Sequence, residues 1–297
     1  MTAGKTTLIV GAGGPLGFEM AKAACDRGAR VIATYRSHRE GLSERLSSIG
    51  AEPRQLDLHD DDALRKILET ADLALFTPIL TIAQRAAPYL RSGARALFMS
   101  SNNVGVDPSS SVYAALRQAE TDIAAKTSAE TVILRPTMIY GHSEDGNLAR
   151  LMKVMRRWPI IPVPGSGRAY QQPVFYADLA RIAVDRVAGP GRAAGVCAVA
   201  GPTPVTTRAL YHAVAAAAGR KIIVAPIPLA PLRAVVGLAE RIGIEPPLSR
   251  AQLDRAESDR LPATEPVIYG ETSLDKGLQK LAHALDNPSL DGCEQGA

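Results

Sequence analysis

The stretch Thr6-Thr7-Leu8-Ile9-Val10 runs directly into Gly11-Ala12-Gly13-Gly14-Pro15-Leu16-Gly17, and its reading decides the fold. A short apolar, β-branched run predicts a buried strand, and the amphipathic spacing over Leu16–Arg27 predicts a helix behind the glycines. A strand–turn–helix of this kind holds phosphate when its glycines divide the work. One makes the tight turn, a second lets the backbone approach a pyrophosphate, and a third lets helix and strand pack closely. Gly11, Gly14 and Gly17 fit those roles. The helix N-terminus adds free N–H groups and the positive end of its dipole, so no basic side chain is needed. A purely structural turn with surplus glycines is the alternative.

Outward from this turn, short β-branched runs alternate with helix-length amphipathic stretches, which predicts a parallel sheet covered on both faces. Strands are expected at Thr6–Val10, Arg30–Thr34, Arg54–Asp57, Asp72–Phe76, Arg95–Ser101 and Thr131–Leu134. Helices are expected at Leu16–Arg27, Arg39–Ile49, Asp61–Thr70, Ile82–Leu90 and Val112–Thr127. The fold class is therefore α/β, a doubly wound parallel Rossmann sheet. Beyond Pro136 a Gly- and Pro-rich region holds one helix, Asn147–Arg157, and the loop Pro162–Gly167. A helix–strand pair follows at Ala177–Val187 and Val196–Val199, then helices at Thr206–Ala218, Leu229–Ile242 and Ser249–Asp259. Residues 1–140 form the expected dinucleotide-binding core, 141–285 a smaller C-terminal lobe interleaved with the last core strand and helix, and 286–297 a frayed tail.

Composition bounds the partners. Of 297 residues, 46% are hydrophobic and 22% charged, which is globular. The net charge of +4 comes from 34 scattered bases against 30 acids, short of a nucleic-acid footprint, so a small anionic ligand is the expected partner. Cys25, Cys197 and Cys293 lie far apart with no neighbouring histidines, which indicates neither a disulfide framework nor a metal site and fits a cytoplasmic protein. No transmembrane segment is expected, since Arg233, Glu240 and Arg241 interrupt the apolar run Pro231–Ile244.

About twenty residues past the glycines, an NAD site would carry an acid for the ribose hydroxyl. Here the segment reads Thr34-Tyr35-Arg36-Ser37-His38-Arg39. A guanidinium in place of a carboxylate favours NADP, with NAD as the alternative and a solvated Arg36 as the plain reading. Asp57, at the end of the third strand, is a candidate acceptor for the adenine amino group or a helix cap.

The Gly-x-x-Gly-x-x-Gly spacing resembles the short-chain dehydrogenase/reductase superfamily, in its extended and atypical branches. Leu97–Ser101 resembles that family's fifth strand with its terminal serines, and Leu134-Arg135-Pro136-Thr137-Met138-Ile139-Tyr140-Gly141 the sixth strand and turn of NAD-dependent epimerase/dehydratases. Pro162–Arg168, Gln172–Ala180 and Gly201–Thr206 resemble the substrate loop, the return and the C-terminal lobe. The resemblance spans about residues 5 to 285, and it implies that Gly13, Pro15, Leu16 and Pro136 join Gly11, Gly14 and Gly17 at the cofactor.

It also implies a catalytic Tyr-x-x-x-Lys helix, which Tyr113-Ala114-Ala115-Leu116-Arg117 matches with arginine for lysine. Helical i, i+4 spacing would keep a cation near the phenol and lower its pKa, while the bulkier guanidinium leaves the ribose contact in doubt. The hydroxyl partner aligns with Ser101 or with Asn102, and an amide can hold an oxyanion but cannot relay a proton. An amphipathic tyrosine beside a solvated arginine is the plain alternative. Arg168, after the Gly-rich loop, is a candidate for an anionic substrate or a surface residue. Arg150, Lys153 and Arg157 share one helical face, which fits a solvated surface, a diphosphate, a coenzyme A or a membrane surface.

The expected activity is hydride transfer between NADP(H) and a small carbonyl or alcohol, with nucleotide-sugar epimerisation as the nearest related reaction and a homodimer as an allowed assembly. A non-catalytic dinucleotide-binding regulator, or an accessory subunit of a larger complex, is the competing expectation, supported by the lost lysine.

Overall fold

The protein is described by a computed structural model covering residues 4–108, 110–189, 195–241 and 256–287. Its centre is an eight-stranded, wholly parallel sheet. Six strands come from the first half: β1 (Thr6–Val10), β2 (Arg30–Tyr35), β3 (Glu52–Gln55), β4 (Leu73–Phe76), β5 (Arg95–Met99) and β6 (Glu130–Pro136). Gly195–Ala200 and Val267–Tyr269 complete the order Val267–Tyr269, Gly195–Ala200, β6, β5, β4, β1, β2, β3. The direction of winding reverses between β1 and β4, the crevice where open α/β sheets bind ligands.

The strands are near-continuous apolar runs because helices cover both faces. On one face, helix α1 (Pro15–Cys25) and the helix Tyr176–Ala188 bury Met20, Leu75, Leu134, Leu179 and Val184. On the other, Phe76 stacks on Phe98 with ring centroids 4.6 Å apart, packed with Leu64, Leu80 and Ile123. A third core, built on Tyr140, Met152, Phe175, Leu210 and Leu278, fills the C-terminal lobe.

Several boundaries differ from expectation for local reasons. β3 begins two residues early and includes Pro53, which an edge strand tolerates because it lacks a second neighbour needing its N–H. The expected helix Ile82–Leu90 is a turn of helix, Leu80–Ala83, followed by a 3-10 segment, Gln84–Tyr89, since Pro88 donates no hydrogen bond. The helix expected at Val112–Thr127 opens as a 3-10 turn, Ser111–Tyr113, and becomes α-helical at Ala114–Lys126. Ile223–Ile227, where the sequence reading assigns no element, pairs in parallel with Ile160–Pro164, and Val267–Tyr269 extends the main sheet. Of the expected helix Ser249–Asp259, residues 249–255 lie outside the described residues and 256–258 form a turn and a bend. Of the expected tail, 288–297 lie outside them as well.

Candidate functional site

The three glycines of the first turn meet three different surroundings. Gly11 adopts φ +88°, and a side chain there would strike Thr77. Its N–H and that of Ala12 bond Thr34 O at 3.1 and 2.7 Å, while the Thr77 hydroxyl donates to Val10 O and Gly11 O, so the turn is tied to both neighbouring strands. A Cβ on Gly17 would lie 2.8 Å from Ala12 Cα and against Gly11 O, so this glycine lets α1 start immediately behind the turn. Gly14 differs: a Cβ there would meet only Gly11 O, at 3.8 Å. It caps α1, and the first helical bond is Phe18 N–H to Gly14 O at 2.9 Å. Pro15 has no N–H, which leaves those of Leu16 and Gly17 without a helical acceptor, and no acid stands in the first turn.

Beside this turn a cavity of about 300 Å³ opens between the ends of β1, β2, β3 and β4, and its walls include Gly13, Gly14, Arg36, Arg39 and Asp57. Asp57 does not cap the following helix; Asp60 does, accepting from Ala63 N–H at 3.0 Å. The Asp57 carboxylate instead takes the backbone N–H of His59 at 2.9 Å and sits 3.0 Å from its ring. Those bonds, with Arg36 nearby, hold its carboxyl below the usual range. No ion pair engages Arg36 or Arg39 among the described residues.

A larger cavity, about 580 Å³, lies past the ends of β5 and β6 under the lobe, and Ser101, Tyr113, Pro136, Gln171, Tyr211 and Arg260 are among its walls. Ser101 and Asn102, alternatives in sequence, both line this cavity but differ in their hydrogen bonds. Asn102 is buried, donates to Leu261 O at 2.8 Å and accepts from Ala263 N–H at 3.0 Å, so its amide is spent pinning the 261–263 segment. Ser101 is half-buried and its Oγ accepts only a long bond, 3.3 Å, from Asn103 N–H. Tyr113 ends the 3-10 turn at the head of its helix. Arg117 does not line the cavity; its guanidinium donates to Ser110 O at 2.7 Å and Asp107 O at 3.5 Å, holding the loop before Tyr113.

Arg168 is exposed and lies outside this cavity. Among the described residues, the cation on its wall is Arg260, which bonds Asn103 Oδ1 at 2.7 Å. No spacing signalled it, because it arrives from a segment 157 residues away from its partner. Tyr140, in the stretch that resembles the family's sixth strand and turn, is fully buried, and burial pushes its phenol far above its ordinary value, which leaves Tyr113 and Tyr211 as the cavity's phenols. Among the described residues there is no cluster of acids, histidines and cysteines able to hold a metal ion, and no helix long and apolar enough to cross a membrane.

Behind the cavity, the buried Glu120 pairs with the half-buried Arg135. Arg135 Nε lies 3.0 Å from Glu120 Oε1, Ser100 donates to the same oxygen at 2.5 Å, and Arg135 reaches Thr264 Oγ1 at 2.8 Å. The network ties the helix carrying Tyr113 to β5, β6 and the 261–264 segment. Arg135→Met strands the carboxylate, so it is expected to cost about 3 to 5 kcal/mol in a denaturant unfolding titration. A loss under about 1 kcal/mol would mean that water reaches Glu120.

No family model and no curated protein matches the sequence. Solved structures do match over nearly the whole chain. A nucleoside-diphosphate-sugar epimerase from Pseudomonas aeruginosa superposes with a TM-score of 0.70 at 16% identity, covering 97% of this chain and 99% of its own. UDP-glucose 4-epimerase from Thermotoga maritima, solved with UDP-glucose, gives 0.69 at 14% identity, covering 96% and 99%. The Bordetella bronchiseptica enzyme WbmH, solved with NAD+, gives 0.70 at 16% identity, covering 95% and 98%. The chain has the Rossmann-type α/β fold of these solved structures. In that fold, both cavities lie where the parallel strands end, one over the ends of β1 to β4 and the other past β5 and β6.

Proposed function

We propose that the protein is an NAD(P)-dependent oxidoreductase of the extended or atypical short-chain dehydrogenase/reductase type, acting on a small anionic carbonyl or alcohol, nucleotide-sugar-like substrates included. The observation that carries this reading is the open face of Gly14, which leaves room for a pyrophosphate against the free N–H groups of α1, one crevice away from a cavity walled by Ser101 and Tyr113. Leu16, Gly17 and Gly13 would hold the pyrophosphate, Asp57 the adenine end, and Pro136 would border the nicotinamide. When bound, the dinucleotide supplies or accepts the hydride. Tyr113 gives its phenolic proton to the substrate oxygen or takes it back, Ser101 donates a hydrogen bond to that oxygen, and Arg260 draws in an anionic substrate group.

NADP is the preferred form in this reading, since Arg36 and Arg39 offer unpaired guanidinium groups where an NAD site would carry an acid. NADPH is expected to bind about tenfold or more tighter than NADH, roughly 1.4 kcal/mol. Arg36→Ala should remove most of that difference and leave NADH affinity unchanged, as calorimetric titration would read. Equal affinities in the unaltered protein would leave Arg36 without a role. The orientation of Arg117 away from the cavity favours a second reading, a dinucleotide-binding protein without turnover. A screen of NADPH oxidation against aldehydes, ketones and nucleotide sugars separates the two.

A further inference from the structure

The helix Leu148–Arg157 buries Leu148, Ala149, Met152 and Met155 in the lobe. Its opposite face carries Arg150, Lys153, Val154 and Arg157, all exposed, and Trp158 follows at 65% exposure. The chain then turns into the strand Ile160–Pro164, whose first residue is 57% exposed and lies opposite Ile223, itself 65% exposed. Ile223 N–H bonds Pro159 O at 2.8 Å, so the two segments close into one surface. Four large apolar side chains, Val154, Trp158, Ile160 and Ile223, therefore stand together in water. A contiguous exposed apolar cluster of that kind marks an interaction site.

Its rim names the partner. Arg150, Lys153 and Arg157 border it on one side, and Arg220 and Lys221, both exposed, lead into Ile223 on the other. Neither segment, 153–162 nor 219–228, contains an acid. Asp286 pairs with Arg156 on the flank of the helix. An interface with a second copy would set these cations against their own images, with no carboxylate in either segment to offset them. A tryptophan and aliphatic tips inside a cationic ring suit the boundary between acyl chains and anionic headgroups, where an indole rests half in each.

We propose that this surface docks the protein on anionic lipid bilayers. The association is peripheral: shallow insertion of Trp158, Ile160 and Ile223, with the cations over the headgroups. Val163 and Pro164 of the same strand line the larger cavity, so a docked bilayer lies about 10 Å along the strand from its wall.

Trp158 is the only tryptophan in the chain, which makes it the reporter. The full-length protein is titrated with vesicles of phosphatidylcholine alone and of phosphatidylcholine with one quarter phosphatidylglycerol, following tryptophan emission and co-sedimentation. A saturable blue shift and pelleting are expected with the anionic vesicles only, both weakening as salt rises. Arg157→Gln and Lys221→Gln, at exposed positions that leave folding intact, should each lower partitioning about fivefold. Absence of pelleting, or pelleting without a shift in emission, would overturn the proposal. So would a blue shift that grows with protein concentration without lipid, which would assign the surface to a second copy. Dinucleotide affinity, read separately, is independent of every outcome.

Discussion

Replacing Tyr113 with phenylalanine is expected to lower turnover by about 10² to 10⁴, the range for loss of a positioned general acid, while NADPH affinity stays nearly unchanged. The phenol sits on the wall of the larger cavity, at the end of a turn that Ser110 begins by accepting the Val112 N–H at 3.3 Å. Phe keeps the ring and removes only the hydroxyl that carries the proton. Turnover is read as NADPH oxidation with the best substrate from the screen. Tyr211→Phe is the control: its phenol also lines the cavity, but burial pushes its pKa up and disfavours release of its proton, so a smaller loss is expected. If Tyr211→Phe costs more than Tyr113→Phe, the proton comes from the lobe. If Tyr113→Phe leaves turnover intact, Tyr113 is not the acid.

Arg117 is a less direct test of the same chemistry. Its guanidinium holds the carbonyls of Asp107 and Ser110, so a change there moves the loop that places Tyr113. The i, i+4 spacing predicts a shared helical face for Tyr113 and Arg117, but Tyr113 lies on the 3-10 turn before the α-helix begins, and that geometry leaves the arginine free to fold back over the loop.

What was legible in the sequence follows the range of the interactions. The glycine turn reads from a dozen consecutive residues because its constraints are local: a positive φ at Gly11, contact between Gly17 and the turn, open space at Gly14. The parallel sheet reads for the same reason, since strands buried on both faces leave unbroken apolar runs. The second cavity is different. Glu120 and Arg135 pair across a helix and a strand, Asn102 pins a segment 159 residues on, and Arg260 enters from that same segment, so no periodicity joins them. Arg168 follows the Gly-rich loop in sequence, whereas Arg260 stands beside the cavity only after the lobe has folded.

Gly14→Val is expected to abolish dinucleotide binding, to a Kd beyond about 1 mM, while the protein remains folded. The two effects separate because of what surrounds this glycine. With φ −96° and ψ 160°, Gly14 has a backbone that valine adopts without strain, and a Cβ there meets nothing closer than Gly11 O at 3.8 Å. Loss of a favourable N-cap residue should cost about 1 kcal/mol of stability, small against a whole domain. The added methyl groups would occupy the space in front of the Leu16 and Gly17 N–H groups, where a pyrophosphate must lie to meet them. Gly17→Ala makes the opposite case. Its Cβ would press on Gly11 O and Ala12 Cα, backbone atoms that cannot swing aside, so stability should fall by about 1 to 3 kcal/mol, and binding falls because the turn itself is displaced. Calorimetry with NADPH and a thermal melt on each variant read the two quantities apart. A Gly14→Val protein that melts near the parent temperature and still binds NADPH in the micromolar range would mean that the dinucleotide does not lie over this turn.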